Sequence, residues 1–125
     1  APPLELRASA ASISASDAAF IERVRTAIEA NLNNGDFGVA ELARAIFQDR
    51  SHMYRRIQTL FGESPSDLIR RLRIECATRL LVDGSGSIAE IAYAAGFNSV
   101  AYFHRCFREV HGVTPATYRD EIVRR

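Results

Sequence analysis

Lysine is absent from this sequence, and all 16 of its basic residues are arginines. Cysteine is scarce, with Cys76 and Cys106 thirty positions apart and neither at metal-ligand spacing from a second Cys or a His. Two such thiols inside apolar helical patterns are expected to pack as small reduced hydrophobes, which fits an intracellular, cytoplasmic protein better than a secreted one. No apolar run approaches the roughly 20 residues that a membrane-spanning helix needs. No signal peptide is recognised, so no membrane contact is expected. A Gly-rich phosphate loop is missing as well, and His52, His104 and His111 are not arranged with carboxylates or Cys as a metal or nucleophile site. No catalytic residue, metal or cofactor is therefore expected. Strong charge of one sign is lacking too, because 15 acidic residues leave a net charge of only +1.

What is present is an ordinary globular composition, 47% hydrophobic and 25% charged, in a chain long enough for one compact domain or two small lobes sharing a helix. The charge is unevenly spread. Residues 41–82 carry 8 Arg against 5 acids, while residues 1–40 carry 3 against 5 and residues 83–125 carry 5 against 5. A forked guanidinium suits phosphate and guanine edges better than an ammonium does. A GC-rich genome that favours Arg codons accounts for the same bias.

The opening "APPLELRASAASISAS" is Pro-rich, then Ala/Ser-rich, without a sustained apolar period, and residues 1–15 read as a linker from a further N-terminal region. A domain is expected over 16–125. Phe20, Val24, Ile28 and Leu32 recur every four residues, so a first helix is predicted from an N-cap at Ser16 to a stop at Gly35. Val39, Leu42, Ala43 and Ile46 share a face of a short second helix. Asp49 is placed to cap a helix over 50–61 with Met53, Ile57, Leu60 and Phe61 inward. Ser64 and Pro65 open a long helix over 65–82, with Leu68, Leu72, Cys76 and Leu80 on one stripe and Ile69, Ala77 and Leu81 beside it. So wide a stripe predicts contact on two sides. Ser87 and Glu90 have capping-box spacing before Ile88, Ile91, Ala92 and Ala95. Ser99 starts a helix through His111 with Phe103, Phe107 and Val110 inward, and Thr114-Pro115 starts the last. No segment alternates with period two for long, so the predicted class is all-α, with about seven helices.

Two stretches of the chain share a skeleton. "FQDRSHMYRRIQTLFGESP" (47–65) and "GFNSVAYFHRCFREVHGVTP" (96–115) align Asp49 with Ser99, Met53 with Phe103, Arg55 with Arg105, Ile57 with Phe107, Gly62 with Gly112 and Ser64-Pro65 with Thr114-Pro115. The preceding "ELARAI" and "EIAYAA" align at an offset of 49 rather than 50, so the second copy has one more residue in its turn. Each copy, at about 39–61 and 88–111, matches a helix-turn-helix, whose second helix lies in the DNA major groove. With the inner faces assigned, the outward positions are Arg50, Ser51, Tyr54, Arg55 and Gln58 in the first copy and Val100, Ala101, His104, Arg105 and Arg108 in the second. Arg pairs bidentately with guanine and Gln with adenine, while Val and Ala meet a thymine methyl. The alternative is a solvated polar face, which Arg55 and Arg105 argue against by recurring at one site in both copies. An 18-residue connecting helix is about 27 Å long, compatible with holding two recognition helices near one DNA turn apart, about 34 Å. The duplication would then replace dimer symmetry, and the expected site is asymmetric or a direct repeat.

Gly96-Phe97, Phe103, Arg105, Phe107, Gly112, Thr114-Pro115 and Tyr118-Arg119 make residues 87–119 resemble the C-terminal signature of the AraC/XylS transcriptional regulators, and residues 39–81 are similar to their first helix-turn-helix and connecting helix. The resemblance spans about residues 17–122. It implies a bipartite DNA-binding domain of seven helices that usually activates transcription by recruiting RNA polymerase, under a separate effector or signalling domain. By position it places base reading on Ser51, Tyr54, Arg55, Val100, Ala101, His104 and Arg105. Ser64 and Thr114, at helix starts, resemble phosphate-positioning elements, and are equally explained as plain N-caps.

Two departures from the family stand out. Phe47 occupies a turn position where the family often has Gly, and Phe enters a left-handed conformation only at a cost, so a first turn of different shape is expected. Ser99-Val100 replaces a common Asp-Pro. The form "DRSHMYRRIQTLFG" is similar to the output domains of two-component regulators and hybrid sensor kinases; a small-molecule sensing domain is the other fusion the family implies. The rival function is a helical protein-interaction module, which near-neutral charge suits. The modest charge also predicts weak DNA binding by this chain alone, with avidity supplied by the remainder of a longer, dimeric protein.

Overall fold

In the computed structural model, residues 6–8, 13–84 and 86–124 are described. Most of the expected linker, residues 1–5 and 9–12, lies outside them, as does Ser85 in the glycine-rich link. The described chain is all-helical: α1 Ala15–Ala30, α2 Val39–Ala45, α3 Arg50–Phe61, α4 Pro65–Val82, α5 Ile88–Ala94, α6 Val100–His111 and α7 Pro115–Val123. The helices form two compact units. Residues up to Asn31 with Phe37–Ile69 make the first, and Leu32–Asp36 with Arg70–Arg125 make the second.

Local capping explains most helix starts. Asp49 accepts from the Ser51 and His52 amides at 3.4 and 3.0 Å, and Ser64 accepts from the Asp67 amide at 3.2 Å. Ser99 and Thr114 accept from the Tyr102 and Thr117 amides at 3.2 and 3.1 Å. Ser87 and Glu90 form the expected reciprocal box, and its amide bonds hold the Glu90 carboxyl below the usual range. At the start of α2 only half of such a box forms: the Glu41 carboxylate accepts from the Gly38 amide at 2.9 Å, and glycine has no side chain to return the bond.

The ends of α1 differ from expectation. Its N-cap is Ser14 rather than Ser16, with the Asp17 amide 3.0 Å from the hydroxyl. The helix stops at Ala30 because the Asn31 amide turns back to the Ile28 carbonyl and its side chain donates to the Ala27 carbonyl at 2.8 Å. Leu32 thus falls beyond the helix and into the second unit.

In the first unit Phe20, Val24 and Ile28 of α1 are buried together with Leu42, Ala43 and Ile46, with Met53, Ile57 and Leu60 of α3, and with Leu68 and Ile69 at the start of α4. The core of the second unit joins Ile74, Ala77 and Leu81 of α4 to Ile91, Ala92, Ala95, Phe97, Phe103, Cys106 and Phe107. The broad apolar stripe of α4 is therefore divided between two cores, and Ile74, outside the expected stripe, is part of it. Phe103 and Phe107 are fully buried, each contributing about 2–3 kcal/mol, and their rings lie edge-on at 5.7 Å. Val110, expected inward, is 58% exposed. His111 takes the slot four residues after Phe107, with its ring 4.3 Å from Phe107 and 4.8 Å from Tyr118.

The two turns share one hydrogen-bond pattern. Phe47 bonds to the Arg44 carbonyl and Gln48 to that of Ala43, as Gly96 does to Tyr93 and Phe97 to Ala92. Contrary to expectation, Phe47 does adopt the left-handed conformation, with φ 56° against 89° for Gly96. The hydrogen bonds impose the same turn on both sequences, and Phe47 keeps its ring out of the way, 92% exposed.

Candidate nucleic-acid interface

In the first unit the capped start of α3 presents Arg50, Ser51, Tyr54, Arg55 and Gln58, all exposed, as helical spacing from Met53 and Ile57 requires. Arg50, Ser51, Tyr54 and Arg55 line a shallow open recess with Val39 of α2. Arg55 also borders a second recess with His52, Thr59 and Arg56. The adjacent arginines have different surroundings. Arg56 donates to the Ser16 carbonyl and hydroxyl at 3.2 and 3.1 Å and pairs with Asp17 at 3.2 Å. Its guanidinium also lies 4.2 Å from the centre of the Phe20 ring. It is a brace between α3 and α1, which local sequence did not signal. Arg55, one position back, is exposed to solvent.

In the second unit α6 presents Ala101, Arg105 and Arg108 fully, whereas His104 and Val100 are half-buried. Val100 packs against the core, so only part of its side chain is available outward. His104 meets Phe103 edge-on at 6.0 Å. Ala101, His104, Arg105 and Arg108 line one open recess with Glu109, Gly112 and Thr114. The Arg105 guanidinium rests 5.1 Å from the centre of the Tyr102 ring. Tyr102 was missed by the sequence reading, although its i,i+3 spacing to Arg105 is a usable signal.

Ser64 and Thr114 are both half-buried caps. Each accepts a first-turn amide, and the Thr114 hydroxyl donates to Thr117 Oγ1 at 2.9 Å. Their placement at the starts of α4 and α7 matches the capping role. Cys106 is buried and Cys76 half-buried, both free, and burial raises the Cys76 thiol pKa above its ordinary value. Among the described residues, no cluster of His, Cys, Asp and Glu could hold a metal, and no helix is long and apolar enough to cross a membrane.

Two short-helix, turn, longer-helix units, each presenting arginines on its second helix, define a helix-turn-helix DNA-binding protein. A family model described as a helix-turn-helix domain matches residues 42–121. The chain belongs to the AraC/XylS family of transcription regulators and carries their DNA-binding domain. It is similar to the transcriptional activator NphR of a Rhodococcus species, with 32% identity over 83% of this chain and 31% of that protein. It also matches histidine kinase P4 of Formosa agariphila, at 27% identity over 86% of this chain and 8% of the kinase. The chain thus spans under a third of the length of these relatives. Among solved structures it resembles the DNA-binding domain of the global transcriptional factor AdpA in complex with a target DNA, with 33% identity, a TM-score of 0.76, and coverage of 83% of this chain and 93% of that one. DNA binding and transcription regulation follow from the family.

Proposed function

We propose that α3 and α6 enter successive major grooves of one DNA duplex, so that a single chain reads two boxes about one helical turn apart. Base contacts are assigned to Arg50, Ser51, Tyr54, Arg55 and Gln58 in one box and to Val100, Ala101, His104, Arg105 and Arg108 in the other. The carrying observation is the repeated device: equivalent caps, equivalent turns and equivalent buried positions leave Arg55 and Arg105 exposed at one site in both units. The helix starts capped by Ser64 and Thr114 are assigned to phosphates. The bipartite domain is assigned from the Ser14 cap of α1 onward, two residues before the expected start at Ser16, with the residues before it as a linker.

The rest of the regulatory reading follows the relatives. Regulation is by activation, which NphR's name states for that protein, and RNA polymerase is the partner proposed for it. Control lies in a separate receiver or sensor region, for which the histidine kinase match is an argument, and that region supplies dimerisation and avidity in the cytoplasm. The test is selection from random duplex DNA at low salt. Enrichment of two boxes about 10 base pairs apart, changed separately by R55A and R105A, is expected. Salt-independent binding would overturn this reading, because each neutralised phosphate contributes about −0.9 to the slope of log K against log salt.

A further inference from the structure

The extra residue of the second turn is Asn98. After the matched bonds from Gln48 and Phe97, the first unit reaches its cap Asp49 directly, whereas the second passes through Asn98 before Ser99. Asn98 is exposed, yet its side chain is engaged. Its Nδ2 donates to the Gly35 carbonyl at 3.2 Å, and a Cβ added at Gly35 would stand 1.9 Å from its Oδ1.

Gly35 lies in Leu32–Asp36, which follows α1 in sequence but belongs to the second unit. Two more contacts hold this strap. Arg73 Nη2 of α4 donates to the Asn34 carbonyl at 2.9 Å. The Leu32 carbonyl is so close to Gly96 that a Cβ there would come within 2.2 Å of it and within 2.8 Å of Arg73 Nε. Gly96 is thus required twice over, by its positive φ and by the space the strap occupies. The equivalent Phe47 stands almost wholly in solvent. One turn is clamped by the strap, while the side chain at the matching place in the other faces solvent.

We infer that the strap is a positioning device for α6, in which Asn98, Arg73 and Gly96 together fix where the second recognition helix starts and hence how it meets its box. Asn98 is the specificity-determining member, since it leads directly into the cap Ser99. It acts through the placement of Val100, Ala101 and Arg105 and touches no base itself. This inference rests on the assignment of α6 to base reading.

The test compares N98A, N98D and R105A in the same chain by box-resolved DNA selection, amide hydrogen exchange and melting temperature. N98A removes the whole carboxamide; N98D keeps its shape but replaces the donor with a carboxylate facing the Gly35 carbonyl. For both, discrimination at the second box should fall about three- to tenfold, the scale of one net hydrogen bond, with the first box unchanged. Amides of 33–36 and 99–103 should exchange faster. Equal loss at both boxes, or a lower melting temperature with box preference intact, would reduce Asn98 to a purely structural residue and overturn the inference. R105A separates the two levels. If R105A alters the second box and N98A does not, the strap inference fails alone. If R105A alters neither box, the base-reading assignment fails and takes the specificity role with it, and unchanged exchange in N98A would remove the positioning role as well.

Discussion

Phe47 and Gly96 hold the same place in two turns, both left-handed, at φ 56° and 89°. Their substitutions should nevertheless behave oppositely. A left-handed non-glycine residue costs about 1–2 kcal/mol, and glycine loses part of that gain through unfolded-state entropy. Phe47→Gly is therefore expected to stabilise the chain by up to about 1 kcal/mol in urea unfolding. Gly96→Ala meets the Leu32 carbonyl and should destabilise by about 3 kcal/mol, combining backbone strain with overpacking.

Arg55 and Arg56 are neighbours with different surroundings, one exposed and the other braced against α1. Arg56→Ala removes a partly buried ion pair with Asp17 and a ring contact with Phe20, and should lower stability by about 1–2 kcal/mol. Arg55→Ala should leave the melting temperature nearly unchanged while costing about 1–3 kcal/mol at one base pair of the first box. Thermal unfolding and competition binding on the two variants check both.

Tyr102 holds the Arg105 guanidinium against its ring. Tyr102→Ala should widen base preference at the position proposed for Arg105 without abolishing binding, whereas Tyr102→Phe, which keeps the ring, should bind as the parent does. Selection on the second box alone measures the difference.

His111 should give unit two a pH dependence. Thr78 Oγ1 donates to the Ile74 carbonyl at 2.8 Å, so at 3.0 Å it accepts from His111 Nε2, which places the ring proton on Nε2. Burial lowers the His111 pKa from its ordinary 6.5, because the packed site disfavours the charged ring. The neutral ring's contribution is complete above 6.5 and is lost as pH falls through the lower folded value. Melting temperature should drop as pH falls from 6.5 to the lower folded value and level off beneath it, and His111→Phe should flatten this part of the profile.

Much of the fold was legible because helices are local. Asp49, Ser64, Ser87, Ser99 and Thr114 bond to amides two or three residues away, and the buried positions of α3 and α6 recur at helical spacing. The exposure of Arg55 and Arg105 follows from the same period. The repeat was equally legible, since matching turns must satisfy matching hydrogen bonds. The ends of α1 were missed for local reasons, since Ser14 and Asn31 make the capping bonds in place of Ser16 and Gly35, whereas the miss at Val110 comes from packing. Val110 was expected inward from its spacing to Phe107, but His111 fits against Tyr118 of α7 instead.

Sequence by itself determined the helices, their caps, the duplicated unit and the faces left outward, all of which depend on interactions within a few residues. Tertiary structure alone decided that Arg56 braces α1 across 39 positions, that Arg73 holds Asn34 across 39, and that Asn98 reaches Gly35 across 63. No local pattern encodes those contacts, because each depends on which distant backbone carbonyl or side chain the packed cores bring within hydrogen-bonding reach.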